Sequence, residues 1–234
     1  TVRLGSRVIG IDEHRSGVTV TTSDGAAEHF DFVVACAGLH ADRVAALAGA
    51  PEDPRIIPFR GEYFRLAPGR QHLVNGLIYP VPDPRYPFLG IHLTRTVTGD
   101  VLVGPNAVLA LAQEGYRWRD VDARDLWHTV SWPGFRRLAR QNLRTGAEEV
   151  ARSLSRRAFL ASARRYVPEL QRGDLVRARA GVRAQAVGID GTMVDDFRFD
   201  ASERVLHLRN APSPAATSSL AIAERVVQEL DGLR

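Results

Sequence analysis

Residues 211–220 carry the types and spacing best suited to chemistry: Ala211-Pro212-Ser213-Pro214-Ala215-Ala216-Thr217-Ser218-Ser219-Leu220. The run follows an alternating apolar stretch, Val205-Leu206-His207-Leu208, and precedes a helical pattern over 220–230. Small residues between a strand and a helix leave the first helical N–H groups without acceptors, at the positive end of the dipole. Such a turn receives an anion or the electron-rich edge of a flat cofactor; taken alone, it is also an ordinary helix start. Pro212 and Pro214 stiffen it, and the alanines and serines admit something planar. A second small turn, Ala37-Gly38, ends the apolar run Phe32-Val33-Val34-Ala35-Cys36, which reads as a strand buried on both faces. A helical pattern follows over 41–48. Strand, small-residue turn and helix are the parts of a doubly wound nucleotide-binding sheet.

Stepping outward, 7–12 and 18–22 are β-rich runs separated by turn residues and predict a meander. The segments 56–66, 76–81, 88–94 and 100–103 predict strands of a largely antiparallel sheet, with turns such as Pro82-Asp83-Pro84 between them. From 122 to 167 the period becomes helical, with Pro133 near a helix start and two or three helices following. Strand character returns over 175–186, 192–199 and 204–208 pair as a hairpin, and a helix closes the chain. The order predicts a mixed α/β fold: part of a doubly wound domain over 1–52 and 186–234, with an antiparallel-sheet-plus-helices domain inserted over 53–185.

Composition is that of a globular protein, 44% hydrophobic and 25% charged. The single cysteine, Cys36, excludes an internal disulfide framework, fits a reducing, cytoplasmic setting, and reads as an inert core thiol. No stretch has the length of a membrane span, nothing at Thr1 resembles a signal peptide, and no metal site is expected. The first residue is Thr rather than Met, and the chain reads as part of a longer protein. All 31 basic residues are arginine. Without a recognition motif or interleaved aromatics they do not predict nucleic-acid binding. Arg136, Arg137, Arg140 and Arg144, then Arg152, Arg156 and Arg157, suit a solvated helix face or an anionic surface, including peripheral membrane contact.

Several short motifs in one order carry a resemblance. They are Cys36-Ala37-Gly38-Leu39-His40-Ala41-Asp42-Arg43, Pro58-Phe59-Arg60-Gly61-Glu62-Tyr63, the stretch from Tyr79-Pro80-Val81-Pro82 to Gly90-Ile91-His92-Leu93-Thr94-Arg95, Gly104-Pro105-Asn106-Ala107, Ala180-Gly181-Val182-Arg183-Ala184-Gln185, and 210–220. In these the chain resembles the C-terminal part of the FAD-dependent L-2-hydroxyglutarate oxidases and dehydrogenases, within the D-amino-acid-oxidase and glycine-oxidase superfamily. The Gly-x-Gly-x-x-Gly turn that such enzymes place on the FAD pyrophosphate is not in this sequence.

The resemblance implies oxidation of L-2-hydroxyglutarate to 2-oxoglutarate, with hydride passing from the α-carbon to FAD and electrons going on to oxygen or a membrane quinone. A sister amino-acid or amine oxidase, or a non-catalytic fragment that does not retain FAD, are the alternatives. Arg183 is implied as the clamp of the α-carboxylate, a task that suits a planar guanidinium fork; it also reads as a surface arginine. His92 is implied as the base for the hydroxyl proton, against a purely structural histidine. Thr94 and Arg95 are candidates for the distal carboxylate. Arg60 and Tyr63 sit on the strand implied to cross the flavin, with Gly61 among the cofactor residues. Strict alternation sends Arg60 and Tyr63 to opposite faces unless Gly61 is bulged. Ala37 and Gly38 are implied on the adenosine side of FAD, and Ser213, Ala215, Ala216 and Thr217 at the pyrimidine edge of the flavin. His40 and His207 read as structural.

Overall fold

The computed structural model describes residues 1–81 and 90–233. The expected turn at Pro82-Asp83-Pro84, the first residues of the strand expected over 88–94, and the centre of the motif that runs from Tyr79 to Arg95 lie outside the described residues. In chain order the elements are β1 (Val8–His14), β2 (Gly17–Thr22), β3 (Ala27–Phe30), β4 (Val33–Ala35), α1 (Ala41–Leu47), β5 (Arg55–Gly61) and β6 (Phe64–Leu66). There follow β7 (Leu77–Ile78), β8 (His92–Arg95), β9 (Val101–Gly104), β10 (Val108–Leu109), α2 (Ala123–Ser131), α3 (Pro133–Gln141), α4 (Leu143–Leu154) and α5 (Arg156–Ala163). The chain ends with β11 (Leu175–Arg177), β12 (Gly181–Val187), β13 (Arg198–Ala201), β14 (Val205–Asn210) and α6 (Ser219–Asp231). No helix among the described residues is long and apolar enough to cross a membrane.

Two compact units emerge. Unit 1 holds Thr1–Ile57, Trp132–Gly134 and the chain from Ala184 onward; unit 2 holds Pro58–Ser131 and Phe135–Arg183. These limits differ by a few residues from the expected 52/53 and 185/186, and they return the short segment 132–134 to unit 1. Trp132 explains the return, since its indole Nε1 donates to the Val187 carbonyl at 2.9 Å and Arg55 stacks over its ring at 4.7 Å.

In unit 1, β1, β2 and β3 form the expected antiparallel meander. A second sheet has the order β13-β14-β4, with β14 antiparallel to β13 and parallel to β4. The strand expected to be buried on both faces is β4, yet it lies at the edge of this sheet and its Val34 is 38% exposed. The fully enclosed strand is β14, all six of whose residues are buried. Alternation in Val205-Leu206-His207-Leu208 therefore masks a central strand, because His207 and Arg209 are buried with the apolar residues. The hairpin strand expected over 192–199 is shorter, since the Asn210 amide takes the Val194 and Asp196 carbonyls at 3.1 and 2.8 Å and holds that stretch irregular.

Unit 2 is built on a five-stranded antiparallel sheet, order β11-β6-β9-β8-β7. Register pairs Phe64 with Val103, Val103 with Leu93, and Leu66 with Leu175, so these apolar residues share one face. That face packs on α5 and the segment after it, through Phe159, Leu160, Ala163, Val167 and Leu170, with the Phe64 and Phe159 rings 4.6 Å apart. Burying a side chain of this size stabilises by about 2 kcal/mol, and this cluster is the unit's core. Where one long strand is expected over 56–66, two occur, because the Glu62 N–H is drawn to the Asn106 Oδ1 at 2.8 Å and leaves the ladder. The expected strand over 175–186 also divides, β11 pairing with β6 and β12 beginning beyond it. After α2, three helices run from Pro133 to Ala163 among the described residues, as expected. Pro133 opens α3, where a missing N–H costs nothing.

Candidate active site

Strand β8 alternates. Leu93 enters the core, so His92 and Thr94 point to the other face of the sheet, and Arg95 does not. Arg95 instead donates to the Val74 carbonyl at 3.1 Å, which removes it from the side where the distal carboxylate was expected. His92 is buried and its ring is fixed twice. Tyr79 stacks on it at 4.1 Å with an 18° interplanar angle, and Nδ1 lies 3.2 Å from the Gly90 carbonyl. A carbonyl only accepts, so the hydrogen sits on Nδ1 and Nε2 presents its lone pair. Burial lowers the His92 pKa; the Gly90 carbonyl works against this, and the Arg183 charge adds to the lowering. The ring is thus held neutral and basic at Nε2.

The register partner of His92 is Gly104, whose φ of +137° is closed to other residues. A Cβ there would lie 2.7 Å from the Glu62 carbonyl and 3.1 Å from the Tyr63 ring. The glycine thereby lets Tyr63 close over the strand beside His92. Burial raises the Tyr63 pKa and the Tyr79 phenol raises it further, while Arg183 pulls it down. Arg183, at the start of β12, thus acts electrostatically on both Tyr63 and His92. The structure brings Tyr63, Tyr79, His92 and Arg183 into one group, with the Tyr79 hydroxyl 3.2 Å from Thr94 Oγ1.

Arg60 is outside that group. Its side chain is 0% exposed and lies under the Trp118 ring at 4.5 Å. Its Nε donates to Glu62 Oε1 at 3.2 Å. The second Glu62 oxygen accepts from the Asn106 amide at 3.1 Å and from the Ser153 hydroxyl, and Ser153 accepts from Trp118 Nε1 at 3.0 Å. Gly61 is packed, since a Cβ there would meet the Pro105 ring at 2.8 Å. The alternation that separates Arg60 from Tyr63 is broken at Glu62, and the two side chains still end in different surroundings.

In unit 1 the parallel strands β4 and β14 end on the same side of their sheet, each leading into a small turn and a helix. Gly38 has φ +54° and open space where a Cβ would stand. The turn after β14 leaves Ser213, Ala216 and Thr217 exposed and Ala215 half-buried. Thr217 spends its hydroxyl on the Pro214 carbonyl at 3.1 Å, and Ser218, the residue before α6, makes no side-chain cap bond. The first N–H groups of α6 therefore remain available at its positive end. Cys36 was expected in the core; it is exposed, although partial burial of the thiol raises its pKa.

Sequence reasoning gave no role to Tyr79 or to the Glu62–Asn106–Ser153–Trp118 network. Tyr79 stands in a quoted motif, and an aromatic two residues from a strand end was the available signal. The network joins residues distant in the chain, which no local pattern reveals.

Comparison with known proteins follows the same lines. The model of the FAD dependent oxidoreductase family matches residues 1–229. An L-2-hydroxyglutarate dehydrogenase of Salmonella houtenae is 47% identical over 229 residues, covering 98% of this chain and 54% of that protein. A mitochondrial L-2-hydroxyglutarate dehydrogenase of Caenorhabditis elegans is 46% identical over 226 residues, covering 93% of this chain and 52% of its own. The chain spans about half the length of these relatives. Among solved structures, an L-alpha-glycerophosphate oxidase of Mycoplasma pneumoniae with FAD bound superposes with a TM-score of 0.67 at 18% identity, over 97% of this chain and 50% of that one. With the family model matching all but the last five residues, the chain belongs to the FAD dependent oxidoreductase family.

Proposed function

We propose that this chain supplies the substrate-handling part of a flavin enzyme that oxidises L-2-hydroxyglutarate to 2-oxoglutarate. The observation that carries the reading is His92, fixed by Tyr79 and Gly90 with Nε2 as its basic atom, in the electrostatic reach of Arg183. Arg183 holds the α-carboxylate through its two-pronged guanidinium. His92 Nε2 takes the hydroxyl proton as the α-hydrogen leaves. Burial, aided by the Arg183 charge, keeps the histidine from being protonated beforehand. Tyr79, stacked on the ring, holds the histidine's orientation. FAD, when bound, supplies the hydride acceptor. In unit 1, Ala37 and Gly38 would lie along its adenosine side. Ser213, Ala215, Ala216 and Thr217 would present the α6 N–H groups to the pyrimidine edge, where negative charge on the reduced ring is stabilised. The similarity to L-2-hydroxyglutarate dehydrogenases supports the choice of substrate.

The test compares the 234-residue chain with a version extended upstream to the length of its relatives. Flavin absorbance is recorded before and after anaerobic addition of L-2-hydroxyglutarate. The extended protein is expected to be yellow and to bleach. Binding of flavin without bleaching would overturn the substrate and leave amino acids or amines to be tried.

The proposal extends to peripheral contact with an anionic membrane, a route for electrons to a quinone in place of oxygen. Trp127 on α2 and Leu143 and Leu154 on α4 are about 70% exposed, and Arg136 and Arg140 on α3 and Arg144 on α4 lie in the same run of helices. Flotation with liposomes that shows no dependence on anionic lipid would overturn this extension.

A further inference from the structure

Unit 2 holds an open cleft of about 1330 Å³ beside Tyr63, lined by Arg65, Arg117, Arg119, Arg177 and Arg179 among others. Its acidic residues are committed elsewhere. Glu62 serves Arg60, Asn106 and Ser153; Asp100 lies 3.6 Å from Arg65; Asp120 accepts the Arg117 backbone N–H at 2.9 Å. Among the described residues no carboxylate pairs with Arg117, Arg177 or Arg179, and the cleft carries unbalanced positive charge.

We propose that this cleft seats the second carboxylate of the substrate, with Arg117 as its principal anchor. The inference rests on the hydroxy-diacid reading above and adds the specificity-determining residue. Two observations support it. First, Tyr63 and Leu102 both line the cleft; Leu102 is the register partner of Thr94, and the Tyr63 ring packs on Gly104, the register partner of His92. The cleft therefore borders the strand that carries His92. An extended five-carbon diacid places its carboxylate carbons roughly 5 Å apart, so a second cation is needed in the immediate neighbourhood of the first. Second, Arg117 springs from a turn pinned on both sides. Gly115 N–H donates to the Ala112 carbonyl at 3.0 Å, Asp120 N–H to the Arg117 carbonyl at 3.1 Å, and Trp118 is fixed through Ser153 and stacked on the buried Arg60. The backbone at Arg117 is then set before binding, and only its exposed side chain has to order. Arg65 has its own carboxylate partner, and Arg177 lies on an edge strand.

The test measures the ratio of kcat/KM for L-2-hydroxyglutarate to that for L-2-hydroxybutyrate, which keeps the reacting centre and lacks the second carboxylate. In the flavin-loaded protein Arg117→Ala should collapse this ratio about 100-fold, through KM; Arg117→Gln takes its place if the alanine variant does not fold. A ratio left as in the parent protein overturns the proposal. Calorimetric titration of the 234-residue chain with glutarate and with butyrate gives a reading independent of turnover. Glutarate should bind more tightly, and Arg117→Ala should erase the difference; equal binding in the parent chain overturns the proposal. A parent enzyme that ignores L-2-hydroxyglutarate but oxidises the monoacid would instead overturn the hydroxy-diacid reading itself.

Discussion

Glu62 and His92 belong to the same unit and both approach Tyr63, yet their hydrogen bonding differs in kind. Around Glu62 both carboxylate oxygens, the backbone N–H, the Asn106 amide and the Trp118 indole are all used within the protein. Around His92 one nitrogen is spent on Gly90, and no bond to Nε2 occurs among the described residues. Glu62 is saturated and contributes rigidity, while the buried Arg60 beside it keeps both terminal nitrogens without a hydrogen-bond partner among the described residues. A buried ring with one spare lone pair is held in register for a ligand it has yet to meet. On the function proposed above, the contrast sets Glu62 in the frame, with Arg60 tied to it by their ion pair, and His92 in the chemistry.

Substitutions on the two sides should fail differently, and the largest effect belongs to the ligand side. Arg183→Ala should lower kcat/KM about 1,000-fold with thermal unfolding close to that of the parent; steady-state kinetics beside a melting curve would show it, and a large loss of stability would erase the contrast. His92→Asn should cost about 100- to 1,000-fold in kcat. With His92 in place, burial and the Arg183 charge both disfavour the imidazolium, so the base stays neutral to lower pH than a free histidine. The acid limb of kcat/KM should therefore turn below about 6.5, and a midpoint above that value would remove His92 from the role of base. On the frame side, Glu62→Ala leaves the buried Arg60 without its carboxylate and should cost about 3 kcal/mol in unfolding free energy, read from urea titration. Gly61→Ala should cost about 2 kcal/mol, because its Cβ has no room beside Pro105.

Much of this was legible from local pattern. The meander, the turn from β4 into α1, the start of α3 at Pro133 and the closing helix follow from alternation, small-residue turns and proline chemistry. The chemistry of His92 and Arg183 came from motif resemblance, since neither residue stands out by spacing. What local pattern missed has a common cause. The break after Gly61 depends on the Asn106 side chain, the burial of β14 on what lies to either side of it, and the exposure of Cys36 on its place at a sheet edge. Each depends on a partner distant in the chain. Tyr79 illustrates the same limit, for its stacking on His92 requires β7 and β8 to pair first.

The parallel pairing of β4 with β14 also sets an order of events. Val33 and Val205 are register partners, and the whole of unit 2 is strung between them. On a ribosome, β4 and α1 emerge before unit 2 and must wait for β14 before their sheet exists. Pairings that close so long a loop are slow to form, whereas the sheet of unit 2 joins strands that follow one another closely in its central part. Unit 2 can therefore collapse first, and the turn that follows β14 is set only after unit 2 has been made. On the function proposed above, cofactor loading at that turn becomes a report that β14 has paired with β4.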